Sequence, residues 1–363
     1  MESAVHASRT PAAGRRAPLT IATLVVVAMA FIVGCSKSDS STSTGAGTLP
    51  GGGSVPGGKG GTVNLVAYST PQEAYNQLAK AFTATAAGKG ADIKESFGAS
   101  GEQSRAVENG QAADYVGFSL EPDMNRLVKA GKVAEDWNKN QYGGMVTKSV
   151  VVLVVRKGNP KNIQGWDDLT KPGIEVVTPN PFTSGGARWN VMAAYGAKSN
   201  NGKDEAAGKQ YLMDLFKNVV VQDDSARKSL QTFSGGKGDV LIAYENEAIF
   251  AQKKGEDIDY LTPERTILIE NPAAVTKDSK NPDTAKAFLA FVYTPEAQKI
   301  FVDNGYRPVI DGVAGADKFK TPAQLTTIKD FGGWTEVTKK FFDPKGSIMA
   351  DVERSIGVSV ESK

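Results

Sequence analysis

The chain has 363 residues, with 42 Lys and Arg against 40 Asp and Glu, one His and one Cys. So even a balance presents no polybasic face and excludes nucleic acid as the expected partner. A single His6 and a single Cys35 leave little material for a histidine base, a thiol nucleophile or a histidine–cysteine metal site.

The chain opens with Arg9, Arg15 and Arg16 ahead of an apolar stretch over 19–33, followed by Gly34 and Cys35. A basic start, an apolar segment too short to span a bilayer and a small residue before the cut predict a signal peptide over 1–34. Val33-Gly34-Cys35 resembles the lipobox of bacterial lipoproteins, which implies acylation of Cys35 and a membrane anchor on the extracytoplasmic side. Arg15-Arg16 also fits twin-arginine export, but the following Ala17-Pro18 departs from that pattern, so the export route stays open. Cleavage after 34 removes three Arg, one Glu and His6, leaving 39 basic and 39 acidic residues and no histidine. Residues 35–61 read as the lipidated Cys and a Ser/Gly linker unable to bury a core. "GSVPGGKG" within it comes close to a phosphate-binding loop, but lacks the closing Ser/Thr, a strand before it and a helix after it.

From Thr62 strands and helices alternate. "TVNLVAYS" (62–69) predicts a strand and 71–86 a helix; "DIKESFG" (92–98) predicts a strand and 102–109 a helix. Strands are expected over 113–120 and over 149–158, the latter continuously apolar as in a sheet covered on both faces. "GIEVVTPNP" predicts a strand and "ARWNVMAAYGA" a helix; further strands are expected over 238–248 and 265–275, then two amphipathic helices within 282–305. The class is α/β with a mainly parallel sheet. Trp166, Trp189 and Trp334 are expected to serve packing.

Three predicted strand-to-helix junctions carry small or hydroxyl residues: Ser69-Thr70, Ala99-Ser100-Gly101 and Ser184-Gly185-Gly186. In open α/β sheets ligands bind beyond the carboxyl ends of the strands, where helix N-termini offer free N–H groups and partial positive charge. Neutral donors of this kind suit a small anion, although each junction alone could be an ordinary helix cap. A serine hydrolase built on Ser100 or Ser184 is disfavoured, because neither lies in a G-x-S-x-G elbow and no histidine remains to activate it. A structural lipoprotein would leave the matching junctions unexplained.

"RKGNPKNIQGWDDLTKPGIEVVTPNPFTSGGARWNVMAAYGA", "FGASGEQSRAVENGQAAD" and "GDVLIAYENEA" closely resemble the sulfate-binding proteins of ABC importers, across nearly all of 63–340. The resemblance implies a two-lobed, type II periplasmic-binding-protein fold hinged on crossover strands. Its implied lobes are 62–147 with 261–363, and 148–260. It also implies an oxyanion held by neutral donors and delivered to a membrane permease by a monomeric receptor, without cofactor, metal or catalysis. Carried over motif by motif, the ligand-binding residues are Ser69, Ser100, Ser184, Gly185, Gly186, Ala226 and Tyr244, with Arg188 and Arg227 steering the anion or bracing the loops. Two positions depart from the pattern. Tyr244 stands where Trp is usual and Ser69 where Asp is usual, a pairing that resembles molybdate-binding proteins. Sulfate is therefore the expected ligand, with molybdate, tungstate or thiosulfate as alternatives.

Overall fold

The computed structural model describes residues 49, 53–358 and 360. The expected signal peptide, Cys35 and most of the expected linker lie outside the described residues. In the first half β1 (Gly61–Tyr68), α1 (Gln72–Thr83), β2 (Ala91–Gly98), α2 (Ser100–Glu108), β3 (Tyr115–Gly117) and α3 (Glu121–Lys129) alternate. The long β4 (Met145–Arg156) leads to β5 (Val176–Pro179), α4 (Gly185–Lys198), α5 (Glu205–Lys217), β6 (Val219–Asp223), α6 (Ala226–Ser234), β7 (Val240–Tyr244), α7 (Glu245–Lys253) and β8 (Ile258–Leu261). The equally long β9 (Arg265–Val275) returns to α8 (Pro282–Val292) and α9 (Pro295–Asp303), and β10 (Gln324–Thr326), α10 (Gly333–Phe342) and α11 (Ile348–Ser355) complete the chain.

These strands form one mixed sheet in the order β2-β1-β3-β9-β4-β7-β5-β6. Pairing is parallel at the outer strands of each half and between β9 and β10, and antiparallel where β4 and β9 meet each other and β3, β7 and β8. β4 pairs with β9 over its first part and with β7 over its second, so it runs through both halves. Its continuous run of Val150 to Val155 is buried on both faces, as its unbroken apolar sequence predicts. Each half has its own core: Val63, Leu65, Phe82, Phe288 and Phe291 in the first, and Leu153, Trp189, Tyr195, Leu212 and Phe341 in the second.

Three expectations change. The strand over 238–248 stops at Tyr244, and Glu245 begins a helix. Residues 53–61 do not behave as linker: Val55 is buried in the first core and the Gly58 N–H donates to the Ala87 carbonyl at 2.9 Å. Gly58 can come this close because a Cβ there would lie 2.5 Å from that oxygen. Finally, the end of the chain does not return whole to the first half. α10 and α11 present Trp334, Val337, Phe341 and Met349 to the second core, where α11 packs on α5.

α11 also buries Glu353, which accepts one hydrogen bond from Gln222 Nε2 at 2.8 Å while its other oxygen has no partner among the described residues. Burial pushes its carboxyl up to about 7 from an ordinary value of 4.5. The folded state thus holds a proton that the unfolded chain gives up, so this group's contribution to stability falls as pH rises from 4.5 to about 7. Glu353→Gln is expected to stabilise by about 1–3 kcal/mol at pH 8 and by little at pH 4.5. Thermal unfolding at the two pH values checks this, and an equal effect at both would remove the titration from the account.

Candidate functional site

The carboxyl ends of β1, β5 and β7 and the starts of α2, α4 and α6 converge on a cavity of about 10 Å³, a volume of roughly one small probe sphere. Its wall is formed by Tyr68, Ser69, Thr70, Ala99, Ser100, Ser119, Ser184, Gly186, Ser225, Ala226 and Tyr244. None of these carries a formal charge. The site is a cage of hydroxyls and main-chain N–H groups.

The N-caps show how the sequence builds it. Ser184 accepts from the Ala187 N–H at 3.4 Å and Ser225 from the Lys228 N–H at 3.4 Å. Each hydroxyl thereby fixes a helix start while its own hydrogen stays available. The N–H groups of Ser100, Gly186 and Ala226 lie in the first turns of α2, α4 and α6, where no intrahelical partner exists. The three helices bring their partial positive charge to the same cavity.

Six of the seven residues inferred as ligand-binding line this cavity, and the structure refines what each has to offer. The Ser100 hydroxyl is committed: it donates to Asp123 at 2.6 Å and accepts from the Ser119 N–H at 3.0 Å. Ser100 therefore offers its N–H, while its side chain ties α2 to α3. The Tyr244 hydroxyl bonds the Ser119 hydroxyl at 2.7 Å. Only one of two bonded hydroxyls donates to the other, so the pair keeps one hydrogen to spare. Burial holds the Tyr244 phenol far above its usual range, so it stays a neutral donor.

Gly185 is the exception. A Cβ there would lie 2.8 Å from Ser119 Cβ and 2.9 Å from Leu120, across the seam between the halves, whereas one on Gly186 would point among Ala226, Ser184 and Tyr244. The glycine at 185 is demanded by close packing of the halves, and the one at 186 by the cavity. Gly101 repeats the first case, with a Cβ position 2.9 Å from the Thr183 carbonyl.

Neither arginine lines the cavity. Arg188 Nε donates to the Pro181 carbonyl at 2.9 Å and its guanidinium sits over Phe342, bracing the loop ahead of α4. Arg227, on α6, bonds both oxygens of Glu247 at 2.9 Å, Glu73 at 3.0 and 3.1 Å, and the Thr70 carbonyl at 2.8 Å. Glu247 lies on α7 in the same half, but Glu73 and Thr70 belong to the other, so Arg227 ties the halves beside the cavity. Burial alone would lower the arginine; Glu247 and Glu73 outweigh it and keep the charge fixed. A second cross-half pair joins Arg307 to Glu245 at 2.8 Å.

Thr70 and Ala99, read only as junction residues, also line the cavity, and sequence reasoning missed Tyr68, Ser119 and Ser225. Ser225 was within reach as the residue before Ala226, since a serine ahead of a helix start is a usual N-cap. Ser119 was hidden because β3 stops at Gly117 while the apolar pattern runs on to Leu120. Trp189 is more than packing: its Nε1 donates to the Ser119 carbonyl at 2.9 Å and fixes that loop from beneath. Among the described residues no group of His, Cys, Asp or Glu could hold a metal ion, and no helix is long and apolar enough to cross a membrane.

Residues 63–307 match the family model described as "Bacterial extracellular solute-binding protein". The chain is 39% identical over 343 residues to the Sulfate-binding protein of Synechococcus elongatus, covering 92% of this chain and 95% of that one. It is 40% identical over 296 residues to the Sulfate-binding protein of Escherichia coli K12, covering 78% and 90%. The solved structure of the sulfate-binding protein SubI from Mycobacterium tuberculosis H37Rv superposes with a TM-score of 0.76 at 47% identity, covering 78% of this chain and 99% of that one. The topology, the caged cavity at the strand ends and these relatives agree: the chain belongs to the bacterial extracellular solute-binding protein family.

Proposed function

We propose that the protein is an extracytoplasmic receptor that captures sulfate between its two halves and delivers it to an ABC importer permease, without catalysing a reaction. The observation that carries this reading is the wall of the cavity, which holds N–H and O–H donors and no charged side chain. Sulfate is a dianion with acceptors only, so a cage of donors satisfies it. Hydrogen phosphate carries a proton and needs an acceptor such as a carboxylate. The candidates for that role, Asp223 and Asp224, are absent from the wall; Asp224 pairs with Lys228 and Asp223 accepts from Thr232. The donors proposed are the N–H groups of Ser100, Gly185, Gly186 and Ala226 and the hydroxyls of Ser69, Ser184 and Tyr244, with Arg188 and Arg227 as braces. The lobes proposed are 62–147 with the return segment after β9, and 148–260 with α10 and α11. Acylation of Cys35 would anchor the monomeric receptor to the membrane, and the intact mass of the membrane-extracted chain checks it.

Thermal unfolding of the full chain with sulfate, thiosulfate, molybdate and phosphate tests the ligand. At a thousandfold excess over Kd a true ligand stabilises by about 4 kcal/mol. Sulfate is expected to give that shift and phosphate none. A shift with molybdate and none with sulfate would reassign the receptor, and silence from every oxyanion would end the binding reading.

A further inference from the structure

A second, much larger cavity of about 610 Å³ opens across the seam between the halves, lined by α2 and α3 on one side and by the start of α4 and α10 on the other. It shares no lining residue with the small cage. Arg105 and Arg188, which face it, lie within two turns of the starts of the same helices that build the cage.

Four of the five cations on the wall form no ion pair among the described residues. Arg105 Nη2 is buried without a hydrogen-bond partner, and among the described residues Arg105 forms no ion pair. Arg188 uses only Nε, on the Pro181 carbonyl, leaving both terminal nitrogens of a guanidinium without a protein acceptor among the described residues. Lys129 and Lys339 add two further cations to the wall without an ion pair among those residues, whereas Arg126 pairs with Asp123 and Glu108. The acids on the wall are otherwise engaged: Glu108 lies 3.7 Å from Arg126, and Asp343 accepts from the Lys345 N–H. A half-buried guanidinium with a terminal nitrogen buried and lacking an acceptor, as in Arg105, costs free energy that an anion would recover. Apolar surface lies beside the cations, since Phe182, Trp334 and Phe342 share the wall and Arg188 sits 5.0 Å over the Phe342 ring. The volume falls in the range of small-molecule sites.

From these neighbouring features we infer that the seam cavity is a second binding site, for an organic anion that carries a sulfate, sulfonate, phosphate or carboxylate group on an aromatic or apolar body. The anionic group meets Arg105 and Arg188, and the body lies against Phe182, Trp334 and Phe342. A ligand seated there touches both halves, so it binds the same arrangement of the halves that encloses the small cage.

The test uses the full chain held at a sulfate concentration that saturates the cage. 2-Naphthyl sulfate is titrated in, followed by tryptophan fluorescence and calorimetry, with 2-naphthol as the uncharged control. One-to-one, saturable binding is expected that persists in sulfate, fails with 2-naphthol and weakens roughly ten- to hundredfold in Arg105→Gln, the range for loss of charge-assisted hydrogen bonds. Lys339→Glu, on the exposed side of the wall, supplies a second variant that leaves the core intact and is expected to weaken binding similarly. Each variant's thermal shift with inorganic sulfate reports separately whether the fold and the cage survive. Displacement of the probe by stoichiometric sulfate, equal affinity for 2-naphthol, or undiminished affinity in both variants would overturn the assignment, whatever sulfate itself does.

Discussion

Gly186→Asp is expected to abolish the sulfate-induced rise in unfolding temperature while the ligand-free protein still folds. A Cβ at this position lies 3.2 Å from Ala226 Cβ and 3.5 Å from Ser184 Oγ, so the new carboxylate enters the cage itself. There it opposes a dianion where no cation lines the wall to compensate it. An uncompensated charge in such a place costs about 3–5 kcal/mol, which weakens binding by about two to four powers of ten. The fold tolerates the change because α4 is regular at this residue and exchanging Gly for a side chain gains helix propensity of about 0.5–1 kcal/mol. Gly186→Ala should fall between, since a methyl takes up space in a cavity of about 10 Å³. Calorimetric titration with sulfate checks both variants. Wild-type affinity in the Asp variant would mean that the anion sits elsewhere. Gly185→Asp would fail differently, by forcing a carboxylate against Ser119 and Leu120 and prying the halves apart.

The contrast between these two adjacent glycines shows what could be read in the sequence and what could not. "TSGGARW" announces a helix start that something approaches closely, and the helix begins there. Which glycine turns its Cβ position to the cage and which to the other half depends on the crossing of two segments 65 residues apart, Ser119-Leu120 and Ser184-Gly185. No local pattern encodes that. The same reason hid Ser119, whose partner Tyr244 was found only through a motif. Alternation and apolar runs did disclose β1, β2, β4, β9 and the paired helices α8 and α9, because those elements owe their form to a periodicity visible in one window. The placement of α10 and α11 was misjudged for the opposite reason. Their amphipathic faces are plain, but a face does not name the core that it joins.

Arg227→Met should be the most damaging substitution outside the cage. The native guanidinium satisfies Glu247, whose side chain is almost wholly buried, together with Glu73 and the Thr70 carbonyl of the other half. Burial pushes the Glu247 carboxyl up, against the pull of Arg227. Removing the arginine leaves that carboxylate uncompensated, at a cost of about 3–5 kcal/mol. The expected result is a fall of that size in urea-unfolding stability and a separate loss of sulfate affinity, because the halves lose a bond that only their joined arrangement makes. Glu73→Gln isolates the second effect. Its carboxylate is about a third exposed, so stability should change by less than about 1 kcal/mol while affinity still falls. If Arg227→Met retains wild-type stability, the Arg227 bridge has no structural weight.

The route of the chain through the second core also governs the order in which the molecule can form. Leu153 and Trp189 share that core with Trp334, Phe341 and Met349, so its layers come from stretches far apart in the chain. Closing so long a loop costs entropy before any of those contacts repays it. The first core has β1 to β3 in one stretch but waits likewise for Phe288, Phe291 and Phe301. Neither half can be finished while the chain is still short. A nascent chain ending before residue 330 would carry the cage residues complete, on a scaffold whose second core still lacks its outer wall.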